Sequence, residues 1–507
     1  MTADTYSFTI DLADETATAA LMADLALLIG ARDVVTLTGD LGAGKTTAAR
    51  ALIRYLADDN ALEVPSPTFT LAQNYDLALP VLHVDLYRVN SPSELDELGL
   101  TPFPDGTLVL IEWPDRAGEL LPADRIDIAL VQHADGEPEA RVATVTGHGK
   151  AQSTVKRLSA LRAFLERSGA MGAERKRMAG DASTRSYARL IDGGRSTILM
   201  NSPARSDTQL IYNGKSYLAA VHLADDIVPF VAIGHGLRAR DLSVPEIYQT
   251  DLDEGFLICE DLGSEGVLAG SPPAPIEDRY HAAMGVLVAL HKEALPRQLP
   301  VEGRPDYVVP AFDTAAMLIE VSLLLDWYLP QHGVEASAAL RDEFVSLWRG
   351  LLDRALAVPA TWAIRDFHSP NLIWLKDRSG IARVGVIDFQ DTVLGPPAYD
   401  VVSLAQDARV DIPDALEIAL VSRYVRGRKG DDATFDPAAF AESYAMMSAQ
   451  RNTRLLGVFS RLNRRDGKPQ YLRHLPRIWG YLGRALAHPA LAEAREWFAT
   501  RVPPPAR

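Results

Sequence analysis

Cysteine and long apolar runs are scarce in this sequence, and basic side chains are scarce in its first 150 residues. A single cysteine, Cys259, among 507 residues excludes a disulfide framework and any cysteine-based zinc or iron–sulfur site. No segment approaches the ~18 uncharged apolar residues of a membrane helix, and the first residues lack the basic-then-apolar pattern of a secretory signal. We therefore expect a soluble protein of the reducing cytoplasm.

The acidic charge is concentrated near the start of the chain. Residues 1–150 contain 9 Lys and Arg against 24 Asp and Glu, a net charge of −15, whereas the remaining residues contain 42 against 43. An acidic surface repels phosphate backbones, so we expect no direct nucleic-acid binding by this part and no membrane partner. The excess of acids either serves solubility or prepares this part to meet a basic protein partner.

The chain is too long for one core, and its predicted elements divide it into four parts. In residues 1–150 apolar strands alternate with helices, which is typical of an α/β domain with a parallel sheet. The stretch 147–153, rich in Gly, Lys, Gln and Ser, is expected to begin a linker, and residues 151–172 are predicted to form a linker helix. Residues 173–265 are predicted to form a small strand-rich lobe with a hairpin at "DGG", and residues 266–507 a larger helical lobe.

The first motif that carries chemistry is "GDLGAGKT", which fits G-x-x-x-x-G-K-[ST] at every fixed position. It follows a predicted strand and opens a predicted helix, so backbone N–H groups and the helix dipole can hold phosphates. Lys45 is expected to reach the terminal phosphates, and Thr46 to ligate Mg²⁺. The residues expected to contact the nucleotide here are Gly39, Gly42, Gly44, Lys45, Thr46 and Thr47.

Polar residues at two later strand ends and on one loop would complete this site. Asp85 ends the strand in "VLHVDLY", where a second Mg²⁺ ligand is expected, and Glu112 ends the strand in "LVLIEWP", where it could position an attacking water. Thr68 lies on the Pro-flanked loop "VPSPTFTL" and could sense the γ-phosphate. Each of these residues, taken alone, could also be an ordinary solvated side chain.

The motifs "GDLGAGKTT", "SPTFTL", "HVDLYR" and "IEWPDR" together make residues 5–145 resemble the small ATPase subunit of the bacterial tRNA threonylcarbamoyladenosine machinery, the TsaE type. The resemblance implies ATP hydrolysis that resets a partner complex, the threonylcarbamoyl-transferase subunits of the TsaB/TsaD type. It also implies that Lys45, Thr46, Asp85 and Glu112 serve nucleotide and metal. The acidic charge agrees with RNA contact by the partner alone.

A second motif, "RDFHSPN", places Asp366 and Asn371 at the D-x-x-x-x-N spacing of kinase catalytic loops. In this chemistry a carboxylate accepts the proton of the attacking hydroxyl, and an amide oxygen ligates Mg²⁺. Downstream, "VGVIDFQD" predicts a buried strand that ends at Asp388, the place for another metal ligand, with Asp391 shortly after it. We expect His368, inside the loop, to orient it by hydrogen bonding.

The segments "GDASTRSYARL", "FLICEDLG", "AIRDFHSPNL" and "VIDFQD" make residues 175–465 resemble the aminoglycoside phosphotransferase and choline kinase superfamily, whose fold is a bilobal α+β protein-kinase-like domain. Within it, the similarity is greatest to kinases that phosphorylate the anomeric hydroxyl of N-acetylmuramate and N-acetylglucosamine, which serve cell-wall recycling. Choline or an aminoglycoside stays open as the acceptor.

One position departs from the pattern of protein kinases. The strand "STILMNSP" carries Met200 where those enzymes have a lysine that pairs the α- and β-phosphates. The phosphates would then be held by Arg185 or by the turn from Gly180 to Thr184. The end of the strand "FLICED" is expected to read adenine through backbone groups from Glu260 to Leu262.

A basic region follows in the helical lobe. Residues 451–477 contain eight Arg or Lys and one acid, which is either a solvated basic face or an anion site. N-acetylmuramate carries a lactyl carboxylate that arginine can bind with two hydrogen bonds, and Arg451 and Arg454 are the candidates for it.

The sequence thus predicts two ATP- and Mg²⁺-dependent units in one chain, an ATPase that serves tRNA modification and a small-molecule kinase. The alternative is that one of the two sites has degenerated into a module that senses ATP and regulates an interaction. The missing lysine motivates this alternative for the second half.

Overall fold

The structure is a computed structural model, and it describes residues 5–89, 94–95, 103–133, 137–178, 185–205 and 214–505. The chain divides into two compact units, the first formed by residues 1–203 and 248–261 and the second by residues 204–247 and 262–507. Among the described residues, none of the helices combines the length and the apolar character that crossing a bilayer requires.

The first unit begins with a mixed sheet of seven described strands in the order β1-β7-β6-β2-β5-β4-β3. The four central strands β4, β5, β2 and β6 are parallel, as predicted, but the outer strands pair antiparallel, so the expectation of a parallel sheet is wrong at the edges. The strands are β1 Thr5–Leu12, β2 Val34–Thr38, β3 Ala72–Tyr75, β4 Val81–Asp85, β5 Leu108–Glu112, β6 Arg125–Gln132 and β7 Arg141–His148.

The α-helices that are described in full in this domain and its continuation are α1 Glu15–Ala26, α2 Lys45–Ala57 and α3 Ala151–Arg167. Every residue of β4 and β5 is buried, as expected for parallel strands covered on both faces. The chain passes from β7 to α3 through two residues, and the Lys150 N–H donates to Asp124 at 2.9 Å. Within the stretch 147–153, the first two residues end β7, residues 149 and 150 form a tight turn, and the last three begin α3.

A second sheet of five strands follows in the same unit, in the order β11-β12-β10-β9-β8. The predicted hairpin is confirmed, because β9 and β10 pair across Gly193 and Gly194, whose φ angles of 53° and 84° suit glycine. The strands are β8 Glu174–Arg177, β9 Ser186–Asp192, β10 Arg195–Asn201, β11 Ile247–Asp251 and β12 Phe256–Glu260.

The domain of residues 1–150 is here called the P-loop domain, after its glycine-rich phosphate-binding motif. It shares a hydrophobic cluster with the second sheet. Leu27, after α1, and Phe164, in α3, pack with Leu190, Leu199 and Phe256 of the second sheet. Through Val155 and Leu158, α3 also packs into a separate cluster with strands of the first sheet, and it therefore connects the two sheets.

A buried ion cluster, here called the seam, crosses the same boundary. It consists of Asp24 in α1, Arg162 in α3 and Arg175 in β8, with Asp24 accepting from Arg175 at 2.9 Å and from Arg162 at 2.6 Å. Beside it, the Ser186 hydroxyl donates to the carbonyl of Leu27 at 2.7 Å.

The second unit is mainly helical, as predicted for the large lobe. At its centre lies a long buried helix, α12, whose Gly457 permits a close approach, since a Cβ there would lie 2.3 Å from the backbone of Leu323. The described helices are α4 Tyr217–Ala220, α5 Val228–Arg238, α6 Glu277–Leu290, α7 Thr314–Leu323, α8 Leu329–Gln331, α9 Ala338–Ala355, α10 Ala398–Ala405, α11 Asp414–Asp431, α12 Pro437–Arg464, α13 Leu475–Leu486 and α14 Ala492–Arg501.

Short antiparallel strand pairs complete this unit, and two of them carry the loops of interest. β17 pairs with β20, and β18 pairs with β19. The short strands are β13 Leu268–Ala269, β14 Ala274–Pro275, β15 Gln298–Leu299, β16 Tyr307–Val308, β17 Thr361–Ala363, β18 Leu372–Trp374, β19 Val384–Val386 and β20 Val393–Gly395.

Candidate functional sites

The glycine-rich turn between β2 and α2 bounds a cleft of about 390 Å³. Gly39, Gly42 and Gly44 have φ angles of 139°, 82° and 103°, which side chains other than glycine rarely adopt. At Gly39 a Cβ would lie 2.3 Å from the carbonyl oxygen of Leu130 in β6. The structure therefore brings the predicted phosphate-binding residues, Thr47 included, to one cleft at the start of α2.

Lys45 is buried at the base of this cleft. Its ammonium group donates to the carbonyls of Gly39 at 2.7 Å and Asp40 at 2.8 Å and lies 3.7 Å from the ring centre of Trp113. Burial lowers the pKa of Lys45 below its ordinary value, and the carboxylate of Glu112 partly offsets this shift. The charge of Lys45 is thus held inside the turn, within the arc of the phosphate-binding amides.

The strand-end acids lie side by side, because Asp85 of β4 pairs in register with Glu112 of β5. The Thr46 hydroxyl donates to Glu112 at 2.8 Å, and His83 lies 3.0 Å from the other oxygen of the same carboxylate. Glu112 is thus fixed from two sides beside the residue predicted to ligate Mg²⁺.

Asp85 organises the loop that carries Thr68. The Thr68 hydroxyl donates to Asp85 at 3.0 Å, the Ser66 hydroxyl makes a short hydrogen bond to the same oxygen, and the Tyr87 N–H donates to the other oxygen at 2.9 Å. The structure therefore joins Thr68 to the acids at the cleft.

Arg141, in β7, is a residue of this site that sequence reasoning missed. Its guanidinium donates to the carbonyls of Ala43 at 3.0 Å and Gly42 at 3.2 Å. By holding these carbonyls, it leaves the N–H groups of the turn directed to the cleft. No sequence signal identifies it, because β7 is distant in the chain from the motif.

In the second unit, the predicted catalytic residues converge. The amide nitrogen of Asn371 donates to the backbone carbonyl of Asp366 at 3.0 Å and lies 3.5 Å from the Asp388 carboxylate, which also accepts from Gln390 at 2.8 Å. Asp388 has a φ of 59°, a strained backbone of the kind found at functional sites. The arrangement brings the amide of Asn371 and the carboxylate of Asp388, whose oxygen atoms can bind a metal, together beside the backbone of Asp366.

The charges around Asp366 keep its carboxylate ionised. Burial alone would raise its pKa, but His368, 3.6 Å away, together with Arg454 and Arg365 more than offsets burial and holds the pKa of Asp366 well below its usual range. His368 in turn lies 3.1 Å from Arg409, in agreement with its predicted orienting role.

Two buried aspartates that sequence reasoning missed hold the backbone of this loop. Asp400 accepts from the N–H groups of Ile364 at 2.6 Å and Arg365 at 2.9 Å, and burial raises the pKa of Asp400 to about 7. Asp407 accepts from the Ser369 N–H at 2.9 Å. The sequence feature that could have identified Asp400 is an acidic residue inside an apolar helical segment, "AYDVV".

A buried cluster of arginines lies next to the catalytic loop. Glu320 of α7, which is fully buried, binds Arg365 through a short contact, lies 3.1 Å from Arg454 and accepts from Gln450 at 3.1 Å. Arg451 is also buried, at 2% exposure. The predicted substrate residues Arg451 and Arg454 thus belong to one cluster with Glu320, which sequence reasoning did not include.

The remaining predicted site residues lie in several different parts of the fold. Asp391 accepts from the Ala224 N–H at 2.7 Å and so supports the backbone. Leu262 packs against Gly385 of β19 in the second unit, whereas Glu260 ends β12 and Arg185 precedes β9 in the first unit. The turn from Gly180 to Thr184 lies outside the described residues.

Comparison with known families divides the chain in the same way as its motifs. Residues 12–141 match the family described as "Threonylcarbamoyl adenosine biosynthesis protein TsaE", and residues 174–443 match the "Phosphotransferase enzyme family".

The relatives of the second half are kinases from bacteria. The chain is 35% identical over 365 residues to the N-acetylmuramate/N-acetylglucosamine kinase of Caulobacter vibrioides, covering 69% of this chain and 97% of the relative. It is 33% identical over 328 residues to the kinase of the same name from Pseudomonas aeruginosa, covering 63% and 86%.

The first half is similar to shorter proteins. It is 43% identical over 99 residues to the tRNA threonylcarbamoyladenosine biosynthesis protein TsaE of Rickettsia bellii, covering 19% of this chain and 68% of the relative. Among solved structures, YdiB of Bacillus subtilis covers 31% of this chain and 97% of its own at 28% identity and a TM-score of 0.26. A choline/ethanolamine kinase family protein from Mesorhizobium loti covers 69% and 99% at 15% identity and 0.40. The chain therefore belongs in its first part to the TsaE family and in its second part to the phosphotransferase enzyme family, the family of its N-acetylmuramate/N-acetylglucosamine kinase relatives.

Proposed function

We propose that the second half transfers the γ-phosphate of ATP to the anomeric hydroxyl of N-acetylmuramate or N-acetylglucosamine, as a step in the recycling of cell-wall sugars. The observation that carries this proposal is that Asn371 bonds to the backbone of Asp366 on the same loop and lies beside Asp388, which follows β19. The names of the similar kinases from Caulobacter and Pseudomonas support the choice of acceptor.

In the proposed reaction the anomeric oxygen forms a bond to the γ-phosphorus while the bond from that phosphorus to the β–γ bridging oxygen breaks, and ADP leaves. Asp366 accepts the proton of the sugar hydroxyl, a role for which its ionised carboxylate is prepared.

The residues present fit Mg²⁺. The NH₂ group of Asn371 is engaged by the Asp366 carbonyl and approaches Asp388, which leaves the amide oxygen as the metal ligand beside a carboxylate. Mg²⁺ prefers oxygen ligands and is usually bound by one or two carboxylates together with phosphates and water. Within the described residues there is no cluster of three His, Cys, Asp or Glu side chains that could hold a metal, so phosphate oxygens would complete the coordination. When bound, the ion neutralises charge on the transferred phosphate.

We also propose that the first half hydrolyses ATP in support of tRNA threonylcarbamoyladenosine formation, in contact with threonylcarbamoyl-transferase subunits of the TsaB/TsaD type. The glycine turn, Lys45 and the hydrogen bond from Thr46 to Glu112 support nucleotide and Mg²⁺ binding. At the rim of the cleft, Leu41 and Phe69 are each 81% exposed, which suits contact with a protein partner. Glu112 is the proposed orienting group for the attacking water.

Two point variants of the full chain test both proposals together. Lys45→Ala is expected to abolish ATP hydrolysis without acceptor and to retain sugar phosphorylation, and Asp366→Asn is expected to do the reverse. Asp377→Asn, an exposed acid on the loop after β18, is the matched control for Asp366.

The acceptor is identified by ADP release from the full chain carrying Lys45→Ala, in which the first site no longer hydrolyses ATP, with N-acetylmuramate, N-acetylglucosamine, choline or kanamycin. Phosphorylation of choline or kanamycin alone would refute the proposed acceptor. The buried Met200, in place of a phosphate-pairing lysine, favours the rival in which the second site only senses ATP, and the absence of transfer to every acceptor would support that rival.

A further inference from the structure

Unpaired polar atoms collect beside the proposed catalytic loop. Arg451, at 2% exposure, has no hydrogen-bond partner for Nε or Nη1 among the described residues, and the buried Tyr399 hydroxyl likewise has none. Buried polar atoms are rarely left without partners. Their concentration at one place therefore indicates a polar ligand.

The charge balance of this region indicates the sign of that ligand. Three guanidinium groups, those of Arg365, Arg451 and Arg454, lie in the field of several carboxylates, those of Glu320, Asp366, Asp391 and Asp407. Arg365 and Arg454 share the single carboxylate of Glu320, whereas Arg451 forms no ion pair within 4.0 Å among the described residues. Since a buried charge is stable only when it is paired, Arg451 carries an excess positive charge that lacks a close negative partner.

The location of this excess charge connects it to the acceptor. Arg451 and Arg454 both interact electrostatically with Asp366, whose side chain is 29% exposed and would contact the reacting hydroxyl. Arg454, with a side chain 15% exposed, is the more accessible of the two arginines. An anionic group on the acceptor, a few bonds from its reacting oxygen, would reach this pair.

We infer that Arg451 and Arg454 form a subsite for the carboxylate of an acidic acceptor sugar, with Glu320 as the positioning residue that fixes Arg454. The inference rests on the proposed sugar kinase activity and extends it to the lactyl carboxylate that distinguishes N-acetylmuramate from N-acetylglucosamine. A carboxylate matches the missing charge, and its two oxygens match the planar fork of a guanidinium. Glu320, which also accepts a hydrogen bond from Gln450, holds the guanidinium of Arg454 at the site.

The test combines a change in the protein with a change in the sugar. In the full-length wild type, kcat/KM is measured with N-acetylmuramate, with its carboxyl methyl ester and with N-acetylglucosamine. The same series is repeated with Arg451→Met, which preserves side-chain length, with Arg451→Lys and with Arg464→Met. Arg464 lies on the same helix and is exposed, so it is the matched control.

We expect Arg451→Met to lower the ratio of kcat/KM for N-acetylmuramate over N-acetylglucosamine by about tenfold to a hundredfold, the factor that one lost charge-assisted hydrogen bond represents. Wild type should prefer the acid over its ester by a similar factor, and Arg451→Met should lose that preference. Arg451→Lys should restore part of it, and Arg464→Met should leave the ratio at its wild-type value. Glu320→Gln should raise KM for the acid more than for the neutral sugar.

The outcomes separate this inference from the proposed function. If wild type phosphorylates neither sugar, the proposed function fails. If wild type phosphorylates both sugars, but the ratio of kcat/KM for N-acetylmuramate over N-acetylglucosamine is the same in wild type and in Arg451→Met, the inference is overturned. The same holds if Arg451→Met lowers the activity with both sugars by the same factor. The thermal unfolding temperature and the activity with N-acetylglucosamine show whether each variant is folded.

Discussion

The seam between the P-loop domain and the second sheet gives the most direct test of how this chain is held together. Asp24 is fully buried, and its carboxylate accepts from Arg162 and Arg175, which lie on a helix and a strand far away in the sequence. Replacing Asp24 by Ala removes the only carboxylate that the described seam contains. Two guanidinium groups then stay inside the core without their anion.

The expected cost follows from burial and geometry. Breaking a buried ion pair by removal of one partner destabilises a protein by about 3–5 kcal/mol, because the remaining charge is left uncompensated. In a unit of roughly 200 residues, each kcal/mol shifts the melting temperature by about 2–4 °C, so we expect a decrease of about 6–20 °C.

The assay is thermal unfolding of the full chain at neutral pH, with Arg167→Ala as the control. Arg167 lies on the same helix as Arg162, but its ion pair with Asp251 at 2.8 Å is exposed, and such pairs contribute about 0–1 kcal/mol. Residual ATP hydrolysis and sugar phosphorylation are measured after heating. We expect both activities of Asp24→Ala to disappear over the same temperature range.

An equal, small effect of Asp24→Ala and Arg167→Ala would refute the reasoning, since it would mean that the seam contributes no more than a surface pair. Loss of one activity well below the temperature at which the other is lost would show that the two sheets unfold separately. The triple variant Asp24→Leu/Arg162→Met/Arg175→Met should recover most of the lost stability, because apolar side chains can replace a buried ion cluster.

Three further predictions concern single residues. Gly39→Ala should destabilise the first unit by about 1–3 kcal/mol, measured by urea unfolding, since its φ of 139° and the carbonyl of Leu130 leave no room for a Cβ. Arg141→Met should weaken binding of a fluorescent ATP analogue by about tenfold, because the turn loses the guanidinium that holds its carbonyls. Burial lowers the pKa of His291, which contacts Tyr424, to about 3. The unfolded chain, with a pKa of about 6.5, then takes up a proton that the folded chain does not, so stability is full above pH 6.5 and falls toward pH 3 by up to about 1.4 kcal/mol per pH unit, a slope that His291→Gln should reduce.

Each of these predictions has a result that contradicts it. Wild-type stability of Gly39→Ala would mean that the turn can relax away from β6. Unchanged nucleotide affinity in Arg141→Met would show that the turn keeps its shape unaided. An undiminished acid slope in His291→Gln would assign the slope to other groups.

The residues of both candidate sites could be predicted because their chemistry depends on short-range spacing. The glycine turn requires small residues at fixed steps before Lys45 and Thr46, and the catalytic loop requires Asp366 and Asn371 five positions apart. Asp388 could be predicted from the buried strand before it. Arg141, Asp400 and Glu320 could not, because each acts on a motif far from it in the chain, and an isolated charge in a strand or helix has no distinctive local pattern.

The sequence by itself determined the two phosphate-handling motifs, the alternation of strands and helices around the first and the strand-rich then helical order around the second. These features depend on the local periodicity of apolar residues and on the backbone freedom of glycine. Both are set by residues that are close together in the chain. Only the tertiary structure decided that α3 packs against both sheets, that Asp24 neutralises arginines of two distant elements, and that Glu320 ties Arg454 to the catalytic loop. Such contacts depend on which surfaces and charges are buried together, and burial is a property of the whole fold.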